Sequence, residues 1–156
     1  MAQEHKSIKE MWKNYLMSIG DDIINTNKYT WWHFCDNEKS ANNLAELVKQ
    51  GVKRATTGLH YFYEVEGETL PKVGDLSIII DWQGIAQCII ETEKVTILPF
   101  KEVTEEFAKI EGEGDKSLKY WREVHINAFN RELKEHKKEF REDMLVVCEE
   151  FEMVYK

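Results

Sequence analysis

Lys53, Arg54, Thr56 and Thr57 crowd into one heptapeptide, Gly51-Val52-Lys53-Arg54-Ala55-Thr56-Thr57, directly behind an amphipathic segment. A lysine beside threonines can hold a phosphate, or can act as a base next to a nucleophile. In an extended chain Lys53 and Thr57 share one face, and Arg54 and Thr56 the other. A twist or bulge at the strand start would bring Lys53 and Thr56 together instead. The plainer reading of the same residues is a solvated Lys-Arg pair closing a helix whose C-terminal dipole favours cations.

Three further groups could carry chemistry. Glu111-Gly112-Glu113-Gly114-Asp115 sets three carboxylates in a loop that two glycines let bend sharply, without the spacing of an EF-hand. Asp115 suits the N-cap of the following helix, and Glu113 suits solvent. Glu111 ends an apolar helical turn (Phe107, Ala108, Ile110), so it is drawn inward and needs a cation, for which Lys53 qualifies. His125 follows Trp121 by four residues on one helical face, a place more typical of a core histidine than of a catalyst. Trp31, Trp32 and Phe34 could stack a nucleobase or close the mouth of a small core. The sequence has no GxGxxG, P-loop, GxSxG, HExxH or HxE…CxxC, so dinucleotide redox chemistry, NTP hydrolysis and zinc deamination lack their usual signatures.

The elements that must position these residues follow from periodicity. Ile8, Met11, Trp12, Tyr15, Leu16 and Ile19 recur at helical spacing, with Ser7 as expected N-cap and Gly20 as stop. Tyr29 to Cys35 reads as an aromatic connection. A second helix runs from about Glu38 to Gln50, with Gly51 at C′. His60 to Val65 reads as a strand, and Leu76 to Asp81 and Ile85 to Val95 read as a hairpin about Trp82-Gln83-Gly84. Short and long helices are expected over Val103 to Ile110 and Ser117 to about Phe140, before a bent final strand from Met144 to Tyr155. The pattern predicts one α+β domain over residues 1–156, with a mostly antiparallel, barrel-like sheet and a helical extension at about 1–30.

Composition bounds the partners. The 156 residues are 42% hydrophobic, rich in aromatics, and carry a net charge of −8 spread evenly along the chain. That length and composition describe a globular domain. Without a basic face, binding to extended duplex nucleic acid is disfavoured, whereas a small site for one nucleotide or a short single strand needs only two or three local cations. No apolar run is long enough to span a bilayer, and no signal peptide is visible. Cys35, Cys88 and Cys148 form no CxxC pair, which argues against a disulfide framework or zinc site and for a cytoplasmic setting. No metal or cofactor is expected.

The chain resembles the ASCH family, whose fold is related to the PUA RNA-binding barrel. The resemblance rests on Gly51-x-Lys53-x-x-Thr56, on Leu70-Pro71-x-Val73-Gly74-Asp75, and on Phe107-Ala108-x-x-Glu111-Gly112-x-Gly114-Asp115-x-Ser117. Trp121-Arg122-x-x-His125 is similar to the bacterial branch with a longer C-terminal helix. The match spans roughly Trp32 to Tyr155. It implies a PUA-like, mostly antiparallel β-barrel surrounded by helices, and an RNA cleft at the Gly-x-Lys motif. Some members resemble ribonucleases, and a compact branch deacetylates N4-acetylcytidine with a lysine, a threonine and a glutamate that match Lys53, Thr56 and Glu111. That branch has an arginine where this chain has Gly58, a departure that would remove one cation from contact with a substrate carboxylate or phosphate; N4-acetylcytidine-type amide hydrolysis and RNA cleavage are both expected forms of the activity.

Two readings follow. In the first, the chain is a hydrolase of a nucleoside or RNA, with Lys53, Thr56 and Glu111 catalytic and Arg54, Trp31, Trp32, Asp115 and His125 contacting substrate. In its amide form Lys53 takes a proton from Thr56; in its ribonuclease form Lys53 stabilises the phosphorane. In the second, the chain is a non-catalytic RNA-binding module. A protein–protein adaptor is the third and blandest class.

Overall fold

The computed structural model describes residues 3–20 and 28–156. Residues 1, 2 and 21–27 of the expected N-terminal extension lie outside the described residues. The chain forms two compact units, Met1–Val52 with Val73–Glu93 and Phe151–Lys156, and Lys53–Lys72 with Lys94–Glu150.

In the first unit, helix α1 (Lys6–Ile19) buries Ile8, Trp12 and Leu16 against Ile78, Ile80 and Ile89. Its N-cap is His5, whose Nδ1 accepts from the Ser7 amide at 3.1 Å, and not Ser7 as expected. The Ser7 hydroxyl instead accepts from the Ala86 amide at 2.9 Å. Tyr29–Trp32, expected to be a connection, is strand β1, paired in parallel with β3 (Leu76–Ile80) from Tyr29↔Leu76 to Trp32↔Ile79. Helix α2 (Glu38–Lys49) starts at Asn37, whose side chain accepts from the Ser40 amide, and buries Ala41, Leu44, Ala45 and Val48. Past α2, Gly51 takes φ 76°, the left-handed turn that ends the helix. β3 returns as a hairpin into β4 (Ala86–Pro99), its turn tied by Asp81 Oδ1 to the Gln83 and Ile85 amides.

In the second unit, strand β2 (Ala55–Leu59) pairs antiparallel with β5 (Leu145–Tyr155) in regular register from Ala55↔Glu150 to Leu59↔Val146. Ala55 and Leu59 therefore face one core, with Phe100, Trp121, Phe129, Leu133 and Val146. His60–Glu66, expected to be a strand from its aromatic run, is helix α3, stopped by Gly67 at φ 66°. The aromatic residues favour a strand intrinsically, but Tyr61 and Phe62 pack side by side on this core and His60 bonds Glu64 one turn on. After a 3₁₀ turn (Phe100–Glu102), α4 (Glu105–Glu111) is capped by Thr104 accepting from Phe107 N–H. Helix α5 (Leu118–Lys134) is capped by Ser117, whose side chain accepts from the Tyr120 amide. It ends well before Phe140: Lys137 turns to φ 56°, and the His136 and Lys138 amides share the Leu133 carbonyl. Phe140 then returns its ring to Phe100 at 4.9 Å.

The strand order is β1-β3-β4-β5-β2, a five-stranded sheet with β1 and β2 as its two edges. The fold is mixed α/β, and the expected barrel is not present as a closed sheet among the described residues. The β2–β5 and β3–β4 pairs are antiparallel as expected, while β1 pairs in parallel with β3 across a connection long enough to hold α2. No helix among the described residues is long and apolar enough to cross a membrane.

Candidate functional site

The second unit gathers Lys53, Thr57, Glu111, Glu113, Trp121 and His125 around one carboxylate. Lys53 lies just before β2, where the backbone N–H of Arg54 is anchored on the Ile110 carbonyl at 2.9 Å. This bond brings the strand start against the C-terminal turn of α4, which carries Glu111. Glu111 is drawn inward by Phe107 and Ala108, which pack in the core. Gly112 at φ 74° and Gly114 at φ 59° then fold the chain so that Glu113 also turns back to Lys53. Trp121 and His125 come from one face of α5, with their rings stacked at 4.2 Å.

Glu111 accepts four hydrogen bonds. Oε1 takes the Thr57 hydroxyl at 2.8 Å and the Trp121 indole N–H at 2.7 Å. Oε2 takes His125 Nε2 at 3.1 Å and Lys53 Nζ at 3.4 Å. Lys53 also donates to the Ala55 carbonyl at 2.7 Å and to Glu113 at 3.0 Å. Lys53 is 1% exposed, Glu111 2% and His125 7%. The Glu113 side chain, at 16%, is the most exposed of the four titratable members.

Such deep burial of charge is tolerable only when pairing and hydrogen bonds replace water. Burial pushes the Lys53 ammonium down, but the carboxylates of Glu111 and Glu113 outweigh it and raise Lys53 above its ordinary value. Burial likewise pushes Glu111 up, yet the charges of Lys53 and His125 hold it well below the usual carboxylate range. Glu113 is raised, first by burial and then by the neighbouring Glu111 charge, against the pull of Lys53. Burial opposes a charged His125, and Glu111 reverses it, leaving His125 raised. The partners agree with that charge. Nδ1 faces the Trp121 carbonyl at 2.8 Å, which only accepts, while Nε2 faces an ionised carboxylate. Both ring nitrogens then carry protons, so His125 is an imidazolium. A side-chain hydrogen bond between the Glu111 and Glu113 carboxyl groups adds to these shifts, lowering Glu111 and raising Glu113.

Strand alternation decides between the two threonines. The regular β2–β5 register places Thr57 on the Glu111 face beside Cys148 and turns Thr56, opposite Glu149, to the other face. Thr57, Glu113 and Trp121 complete the cluster around Lys53, Glu111 and His125. Alternation from Lys53 already paired it with Thr57; the Glu113 turn was hidden because its two glycines read equally well as a solvated loop. Arg54 is exposed. Asp115 is exposed and does not cap α5; its Oδ1 accepts from the Ser117 amide at 2.8 Å, and hydrogen bonds from Ser117 hold its carboxyl below the usual value. Trp31 and Trp32 belong to the first unit, half-buried against its two apolar clusters, with the Trp32 ring edge-on to Phe34 at 4.9 Å.

Glu111, Glu113 and His125 bring potential metal-ligand atoms within 4.8 Å of one another. Lys53 Nζ already bonds both carboxylates, so the residues form a cluster around an ammonium, and a metal there would have to displace Lys53 from Glu111 and Glu113 and a proton from His125.

The description of an ASCH domain matches residues 30–155. The crystal structure of an ASCH domain from Lactobacillus crispatus is similar to the whole chain, at 39% identity and TM-score 0.90, with 99% of that protein covered. A crystal structure of a protein from Enterococcus faecalis is similar over 96% of this chain and 89% of its own, at 38% identity and TM-score 0.85. A further solved structure, of a hypothetical protein, shares the fold alone, at 21% identity and TM-score 0.51 over 81% of this chain and 97% of its own. No curated protein matches the chain.

Proposed function

The chain belongs to the ASCH family, generally RNA-binding or hydrolase-like, and from that premise we propose that it hydrolyses a short single-stranded RNA or nucleotide at the Lys53 cluster. The observation that carries the reading is Lys53 held as a cation by Glu111 and Glu113 in a buried, preorganised site. A fixed ammonium stabilises negative charge developing on a phosphorane or an oxyanion, and it does so strongly where water is excluded. Glu111 is a positioning residue: its four donors lock it, and it locks Lys53 and His125.

The same observation weighs against the amide-hydrolase form. A base needs a neutral lysine, and here the carboxylates keep the proton on. A nucleophilic Thr56 would further have to cross from the far face of β2. His125, charged within the site, is the further cation proposed for substrate contact, and exposed Arg54, with Asp115, Trp31 and Trp32, is carried only by the sequence pattern.

A non-catalytic RNA-binding module is the second reading, favoured by one observation: the Thr57 hydroxyl is donated to Glu111 and Lys53 holds its proton, which leaves a cation with neither base nor nucleophile beside it. The test is incubation of wild type and Lys53→Met with single-stranded RNA, duplex RNA and N4-acetylcytidine, followed by chromatography. Lys53-dependent scission of single strands supports the proposal. Lys53-dependent binding without turnover selects the binding module, and acetate release from N4-acetylcytidine overturns the role given to Lys53.

A further inference from the structure

Three of the four titratable groups in the cluster sit on a helix or at a strand start, and the fourth, Glu113, sits in a loop, held by Lys53 at 3.0 Å and by a hydrogen bond with Glu111. Glu111 is pinned by Thr57, Trp121, His125 and Lys53, and His125 by Glu111 and the Trp121 carbonyl. Lys53 is tied to the Ala55 carbonyl within its own strand start. Glu113 rides between two glycines in the left-handed region and has the most exposed side chain of the four. Residues held in such turns swing out at lower cost than side chains packed in a helix or strand.

Electrostatics say what would replace it. Of these four groups, Lys53 and His125 carry one positive charge each and Glu111 one negative charge. Without the Glu113 carboxylate they hold one excess positive charge, beside an ammonium whose N–H has lost its acceptor 3.0 Å away. That vacancy matches one anionic oxygen group in charge and hydrogen-bonding character.

We propose that the Glu113 carboxylate is an internal stand-in for a substrate phosphate, covering an anion subsite at Lys53 that a phosphodiester or phosphate monoester opens by displacing it. The inference rests on the reading of the Lys53 cluster as the nucleotide site, and it accounts for how a substrate reaches a lysine that is 1% exposed. Glu113 sets the entry cost, because an incoming anion must displace it from Lys53, so the resting protein binds simple anions weakly. A phosphate with a nucleoside attached has further contacts to offset that cost, which makes the device selective against free inorganic anions.

The test uses inorganic phosphate, which has no bond for the protein to cleave in the proposed reaction, so its result is independent of hydrolysis. Phosphate binding is measured by calorimetry for wild type, Glu113→Gln and Glu113→Gln/Lys53→Met. The expected result is phosphate affinity roughly tenfold or more tighter in Glu113→Gln, the ratio set by one hydrogen bond between charged groups. That gain should vanish in the double variant. Unchanged affinity in folded Glu113→Gln, or a gain that survives loss of Lys53, overturns the inference. Wild-type protein supplies a second readout that needs no substitution: saturating phosphate should move the amide resonances of Gly112, Glu113 and Gly114, and static resonances at saturation overturn the inference. RNA left intact by a protein that passes both tests would refute the hydrolase reading and leave the anion subsite standing.

Discussion

Replacing Glu111 by Gln removes one charge and almost no volume, so its effect isolates the electrostatics of the cluster. Lys53 and His125 would remain buried with Glu113 as their one opposing charge in the cluster. The new amide NH₂ would face donors at one of the two positions where Glu111 now accepts. Breaking a buried ion pair by removing one partner costs about 3–5 kcal/mol. For a chain of this size that lowers Tm by roughly 6–20 °C. Thermal unfolding followed by circular dichroism measures it directly. A control sharpens the result: Lys53→Met combined with Glu111→Leu removes both partners, and should cost less than the sum of the single changes. A Glu111→Gln loss below about 1 kcal/mol, or strict additivity in the double variant, would refute the claim that the four groups act as one unit.

Other perturbations follow from the same geometry. Thr57→Val removes a 2.8 Å donor to Glu111 and should cost about 1.5–3 kcal/mol by urea unfolding, whereas Thr56→Val, on the other face, should cost clearly less. Gly114→Ala would drive a Cβ into the Tyr120 ring at φ 59°, so it should destabilise by about 1–3 kcal/mol, with part of the loss recovered in Tyr120→Ala. His125 is raised above its unfolded value of about 6.5, so its stabilising contribution is complete below that pH and is lost as pH rises through the folded value. The urea midpoint of wild type relative to His125→Gln should therefore fall with rising pH. Glu111 is lowered, so its contribution is present above the unfolded carboxylate value and disappears as pH falls through the folded one. The stability gap between wild type and Glu111→Gln, measured by urea unfolding, should accordingly close as pH falls through the folded value.

Much of the frame was legible because the pattern and the packing agreed. α2 with its Gly51 stop, the hairpin around Asp81–Gly84, and the pairing of Lys53 with Thr57 all follow from periods that tertiary contacts left intact. His60–Glu66 failed because aromatic residues favour strands by their surface fit, a preference that the local core redirected. β1 was missed because four residues are too few to show alternation, and its partner β3 lies forty-odd residues on. The length of α5 was overread because the polar stretch after Lys134 continues a helical composition, while Lys137 turns the chain. At the site, Glu111 was readable from its apolar turn. Glu113 was not, since only the left-handed Gly112 and Gly114 aim it inward. Trp121 looked like core, and it is core, with its one polar atom spent on Glu111.

The account turns on Lys53 being a held cation and not a base. Nuclear magnetic resonance of the Lys53 ε-methylene, assigned by comparison with Lys53→Met and followed from about pH 6 to about pH 10, observes that state directly. The account predicts a resonance that stays at its charged position throughout, because Glu111 and Glu113 hold the proton past the ordinary lysine value. A titration centred near neutral pH would contradict it, and would return the site to a lysine base.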